Sequence, residues 1–254
     1  MSWQLNSASL VALLLATART SAWLVVCPPF NSRLIPAQVK ALLSLAIGLL
    51  VTPGLVDSAP PVTAGALIES AIQQVAVGLA LGFLTMLCFA AVKAAGDLLD
   101  LFGGFALAQA FDPLSTTQSS VFGRFFNLVA VTLLFVSDGH QMVLRGFTRS
   151  FETLPLDGAL SLESLSRLLS HGLDDLFIAA LQIAGPLIAV LFCTDVALGL
   201  LNRVAPSLNA FAIGLPAKIL LTMSLAGFTL VMLPHALDGI VDKAVAMVVR
   251  LAGG

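Results

Sequence analysis

The chain has 254 residues, 58% of them hydrophobic and only 10% charged, with a formal net charge of −2. Water-soluble domains carry about a quarter charged residues, so a solvent-covered surface is excluded and the chain reads as an all-α integral membrane protein. The slight negative balance offers no basic surface for nucleic acid.

The N-terminal residues, MSWQLNSASLVALLLATARTSAW, lack a basic n-region, and their apolar run outlasts a signal peptide. They predict a retained first helix over residues 5–26, with Arg19 inside it. An intramembrane arginine must face protein, water or an interface, or snorkel to the nearer rim; both readings stay open. Cys27-Pro28-Pro29-Phe30 breaks this helix, and a loop with Arg33, Pro36 and Lys40 follows. The second apolar segment, residues 41–52, is short for a lone span; either it extends back to Gln38 or it never faces lipid. Pro53-Gly54 ends it, before a turn-rich stretch over residues 57–61.

The third segment, residues 65–107, exceeds one crossing. Its Gly78 and Gly82 form a small-xxx-small face on which two helices can pack closely. Lys93, Asp97 and Asp100 make its far end polar. Asp97 and Asp100 share a helix face, as a carboxylate pair or as a solvated, salt-bridged helix end. Gly103-Gly104 is a point of bending. The following run, QAFDPLSTTQSS at 109–120, is too rich in hydroxyls and amides to meet lipid. It is an exposed loop or a segment lining a water-filled path.

A fourth apolar segment covers residues 121–136, and Ser137-Asp138-Gly139-His140 turns the chain. In the polar region 138–175, Met142, Leu144, Phe147, Phe151 and Leu154 recur at helical spacing among Arg145, Arg149 and Glu152. That predicts an amphipathic helix lying on a membrane or on partner subunits, ending at 155–158. A short amphipathic helix with Leu165, Leu168 and Leu169 is expected to follow.

Segments five and six, residues 176–196 and 215–233, flank the tip ALGLLNRVAPSLNAFAIGLP. Asn202-Arg203 followed by Pro206 ends one helix, and Ser207 or Asn209 can cap the next. Pro186 predicts a kink in segment five, and residues 236–250 form an amphipathic tail. About six long apolar helices, arranged as hairpins and joined by amphipathic helices, therefore make up the chain. Arg33 and Lys40 after segment one, with Arg203 and Lys218 at the tip, place those two loops in the cytoplasm.

Enzyme chemistry has no support. No phosphate loop, HExxH or GxSxG motif occurs, nor a Cys/His cluster at ligand spacing. No metal or cofactor is expected, and scattered Cys27, Cys88 and Cys193 read as small buried hydrophobes. The alternative is a small secondary transporter or permease subunit, for which Arg19, Asp195 and Pro186 are the only candidate residues.

The run ALGLLNRVAPSLNAFAIGLP, together with GGFALAQAFDP and VSDGHQMVLRGFTRSFETLPL, resembles the flagellar biosynthetic protein FliR family and its injectisome T-subunit relatives, over nearly the whole chain. The resemblance implies one subunit of a helical pore-forming export gate, built with the P and Q subunits FliP and FliQ and contacting FlhB and FlhA. Unfolded rod, hook and filament proteins would cross it, at the flagellar basal body in the inner membrane, with the assembly projecting toward the periplasm. Residues 1–137 would be P-like, 138–175 an amphipathic region and 176–254 Q-like. A pore plug would fall within 106–120, on Phe111, Asp112, Pro113, Leu114, Ser115, Thr116, Thr117 and Gln118. The tip residues Asn202, Arg203, Pro206 and Asn209 would meet partners on the cytoplasmic side.

Overall fold

In the computed structural model, which describes residues 6–110, 120–158, 162–205 and 210–253, all regular structure among the described residues is helical. The helices are α1 (Ser7–Val26), α2 (Ala37–Val51), α3 (Ala64–Phe102), α4 (Phe105–Ala110), α5 (Val121–Val136), α6 (Gly139–Thr153), α7 (Leu162–Val204) and α8 (Ala210–Gly253). Among the described residues, five helical stretches are long and apolar enough to cross a membrane, or six if α5 and α6 count together as one broken span.

The chain divides into two compact units. The first comprises Met1–Cys88, Ser137–Leu173 and Val241–Gly254; the second comprises Phe89–Val136 and Asp174–Ile240.

In the first unit, α1 and α2 form an antiparallel hairpin, with Gly48 against Thr17. α2 starts four residues earlier than the apolar pattern predicts. Pro36 precedes its first turn, where a missing amide costs nothing, and Val39 and Lys40 donate to the Pro36 carbonyl. α3 lies parallel to α1, because Gly78 faces Arg19 and Ala22 while Gly82, four residues on, faces Trp23 and Val26. The apolar core of this unit gathers Leu15, Trp23 and Leu24 of α1, Val77 and Leu81 of α3, and Phe147 and Phe151 of α6.

The amphipathic helix α6 thus buries its stripe inside the chain, where the sequence predicts a membrane or partner surface. Phe147 stacks on Trp23 with ring centroids 4.3 Å apart, and Phe151 meets Phe147 edge-on at 5.5 Å. Stacked and edge-on rings of this kind add about 0.5–1.5 kcal/mol to simple burial. Met142, counted in the stripe, is exposed instead, because the helix presents residues 146, 147, 150 and 151 to the core. The chain enters α6 through Asp138, at φ 57°, a left-handed geometry that Asp tolerates better than most residues.

In the second unit α3 ends at Phe102, not at 107. The Gly103 amide still bonds the Leu99 carbonyl, but Gly104 turns to φ 85°, a helix terminator that a side chain would strain. The bend expected at Gly103-Gly104 is there. α5 follows its predicted bounds and buries Phe122, Phe126, Ala130 and Leu134.

Two predicted breaks are absent. The short helix expected near residues 162–169 and segment five are one 43-residue helix, α7, and segment six and the tail are one 44-residue helix, α8. Polar residues between the apolar runs mark a change of surroundings, not of backbone. Gly172 is the weakest helix former there, at a cost of about 1 kcal/mol, and it packs against Leu84 and Leu87. Pro186, Pro216 and Pro234 lie inside these helices, each removing one amide donor without ending the helix.

Candidate functional site: loop anchors and hairpin tip

The residues proposed from sequence as a pore plug, Phe111, Asp112, Pro113, Leu114, Ser115, Thr116, Thr117 and Gln118, lie outside the described residues. Their flanks are described. Upstream, Gly104 with its positive φ separates α3 from α4, and a Cβ on it would sit 2.8 Å from Leu215.

Downstream, Ser120 is the first residue of a three-part anchor. Its hydroxyl accepts from the Gly123 amide at 2.8 Å, the usual N-cap bond of a helix start. The same hydroxyl donates to the Asp100 carboxylate. Asp100 also accepts the Phe122 amide, at 3.1 Å through Oδ2. A carboxylate from α3 thereby satisfies amides that α5 cannot pair internally, at the end of the helix where negative charge is favoured.

Asp100 is 3% exposed and so is not part of a solvated helix end, whereas the salt bridge that the Lys93–Asp97 spacing suggests does form. The salt bridge belongs to Asp97, whose Oδ2 lies 3.1 Å from Lys93. Close approach of α3 and α5 makes this geometry possible. A Cβ on Gly96 would lie 2.5 Å from the Phe122 carbonyl, and one on Gly123 would run into Asp97. Phe105 of α4 closes the group edge-on to Phe122 at 5.2 Å.

At the hairpin tip, α7 ends at Val204, and Asn202 and Arg203 are exposed there. Pro206 and Asn209 lie outside the described residues. Below the tip, α7 and α8 run antiparallel: Gly214 faces Leu198, and Lys218 Nζ lies 2.7 Å from Asp195 Oδ1. The Lys218 side chain is 15% exposed and that of Asp195 46%. Sequence reading names Asp195 and Lys218 separately, but a pair 23 residues apart is visible only once the hairpin register is known.

Gly78 and Gly82 lie on α3 where it meets α1. Arg19 is fully buried and donates to Gln74 at 2.6 Å, so of the two readings left open it faces protein. Arg19 is tied to Gln74, and Asp195 to Lys218. No group of three or more potential metal-ligating side chains occurs among the described residues.

Residues 10–244 match the family model described as bacterial export proteins, family 1. The chain is 35% identical to flagellar biosynthetic protein FliR of Pectobacterium carotovorum over 216 residues, 85% of this chain and 83% of that one. It is 33% identical to FliR of Escherichia coli K12, covering 82% of this chain and 79% of that protein. Similarity extends to surface presentation of antigens protein SpaR of Salmonella typhimurium, at 30% identity, covering 80% of this chain and 77% of that protein. With its long apolar helices, the chain is a membrane protein that belongs to family 1 of the bacterial export proteins, the FliR type of type III export subunit.

Proposed function

We propose that this chain is a subunit of the flagellar export gate, forming with the P and Q subunits FliP and FliQ the channel through which unfolded rod, hook and filament proteins leave the cell. The observation that carries the reading is the family match over residues 10–244, joined by FliR relatives at up to 35% identity. The helices support it. The apolar windows of α7 and α8 bury only 28% and 22% of their residues within the chain, against 67% for α3. Apolar helices left so open need a covering, and in a channel assembly neighbouring subunits supply it together with lipid.

On this reading FlhB and FlhA are further partners, the assembly sits in the inner membrane at the basal body and projects toward the periplasm, and the Arg203 tip faces the cytoplasm. Residues 1–137 act as the P-like part and residues 176–254 as the Q-like part. Loop 106–120 acts as the plug, held at its downstream end by the Ser120–Asp100 anchor. The flagellar branch is preferred to the injectisome branch because FliR proteins of Pectobacterium carotovorum and Escherichia coli match at 35% and 33% identity and SpaR of Salmonella typhimurium at 30%. A strain lacking the chain should be non-motile and release no hook protein, and re-expression should restore both. Restoration of injectisome secretion alone would move the chain to the other branch.

A further inference from the structure

Arg19 is fully buried in α1, and all its hydrogen-bond partners that the structure gives are neutral. Its Nε donates to Gln74 Oε1 at 2.6 Å, one terminal nitrogen to the Ser150 carbonyl at 3.1 Å, and the other to the Leu154 carbonyl at 2.7 Å. The guanidinium carbon also sits 4.3 Å from the centroid of the Phe151 ring.

Both carbonyls belong to the carboxyl end of α6, which closes at Thr153 with Leu154 as its cap residue. A helix carries partial negative charge at its carboxyl end and leaves its last carbonyls without intrahelical donors. Leu154 offers such a carbonyl, while the Ser150 carbonyl accepts the Leu154 amide at 2.9 Å as well as Arg19. α6 has no basic residue of its own in its last turn. We infer that Arg19 is the carboxyl-terminal cap of α6, supplied from α1, and that it fixes where α6 and the turn after it sit in the first unit.

The rest of the cluster is built around that role. Gln74 is itself fully buried, and its amide nitrogen donates to the Leu156 carbonyl at 3.3 Å, which orients its oxygen toward Arg19. Arg19 and Gln74 thus hold the carbonyls of residues 150, 154 and 156 together. Gly78, one turn beyond Gln74 on the same face of α3, removes the side chain that would strike the Arg19 carbonyl, so α3 comes close enough for Gln74 to reach. A planar fork of donors suits three divergent acceptors and a ring face; a lysine ammonium in the same place is a compact point charge and cannot span them. No carboxylate is needed, because helix-end carbonyls, one amide and one ring face divide the charge among them.

Hydrogen–deuterium exchange on the full chain, purified with its co-expressed membrane partners, tests the cap. Arg19→Lys keeps the charge and loses the fork, so exchange at amides 150–156 should rise about tenfold, the size expected for losing a hydrogen bond to a charged group. Peptides from α7 and α8 should be unchanged. Gln74→Met removes the acceptor of Arg19 Nε and the donor to the Leu156 carbonyl while keeping the arginine, and should give a smaller rise confined to the same amides, which keeps the test open if Arg19→Lys fails to accumulate. Unchanged protection at 150–156, or loosening spread evenly over the chain, would overturn the assignment.

Discussion

Glycine-to-alanine substitutions should have opposite signs at different positions of this chain. A Cβ on Gly78 would fall on the backbone carbonyl of Arg19, with the Ala22 Cβ 3.0 Å away. On Gly82 it would lie 2.9 Å from the Trp23 carbonyl oxygen and 3.0 Å from the Val26 Cβ. Ordinary contacts are about 3.5 Å, and a backbone carbonyl cannot swing aside, so α1 and α3 would have to part. Overpacking of this kind costs about 1–3 kcal/mol, reduced by up to about 1 kcal/mol because alanine is the better helix former. The net loss is up to about 2 kcal/mol at each site, a fall of up to about 8 °C in melting temperature for a chain of this size. Gly199 and Gly227 have no atom within 4 Å of a Cβ, so alanine there should raise the melting temperature by about 1–4 °C. Thermal unfolding of the four variants of the purified chain, in one detergent, measures the contrast. If Gly78→Ala and Gly82→Ala melt no lower than Gly199→Ala and Gly227→Ala, the close α1–α3 packing is refuted.

Removing the Asp100 carboxylate by Asp100→Ala should cost about 1–2 kcal/mol, as for loss of a helix cap, and raise amide exchange over residues 121–126; unchanged exchange there would contradict the anchor. Lys218→Met and Asp195→Asn should couple in a double-mutant cycle, but by less than about 1 kcal/mol because water reaches nearly half of the Asp195 side chain; strictly additive losses would deny the pair any part in holding the hairpin. Deleting residues 115–119 while sparing Ser120, which caps α5, should raise ion leakage through the assembled gate, and an unaltered leak would argue against a plug. Arg203→Glu at the exposed tip should weaken assembly or export, and full motility in that mutant would remove the proposed partner contact.

The helical membrane class was readable from composition alone, and the bounds of α5 and the break at Gly104 were readable from local pattern. Each rests on a short-range rule: hydrophobic runs make helices in lipid, and a glycine can turn where other residues strain. The unbroken lengths of α7 and α8 were not readable, because polar residues near 170–175 and three internal prolines resemble punctuation. The backbone has no reason to stop there when neighbouring turns satisfy it.

The inward face of α6 was legible as a stripe, but its target was not, since an amphipathic pattern names no partner. Phe147 finds Trp23, over 120 residues away in sequence. Asp100 is the instructive miss. Its spacing from Asp97 leaves open a carboxylate pair or a solvated, salt-bridged helix end, whereas its partners are the hydroxyl and amide at the start of another helix. Only an acidic residue opposite a helix-starting serine across a loop of this kind could have hinted at it. The family resemblance, by contrast, was legible in the run at 197–216, because a polar, proline-bearing tip between two apolar helices is a local feature.

Native mass spectrometry of a tagged copy, purified after co-expression with its own P and Q subunits, tests the gate reading most directly. A stable mixed complex containing this chain with both partners is the predicted result. Purification of the chain alone, as a monomer or homo-oligomer with those partners present in the same membranes, would contradict it.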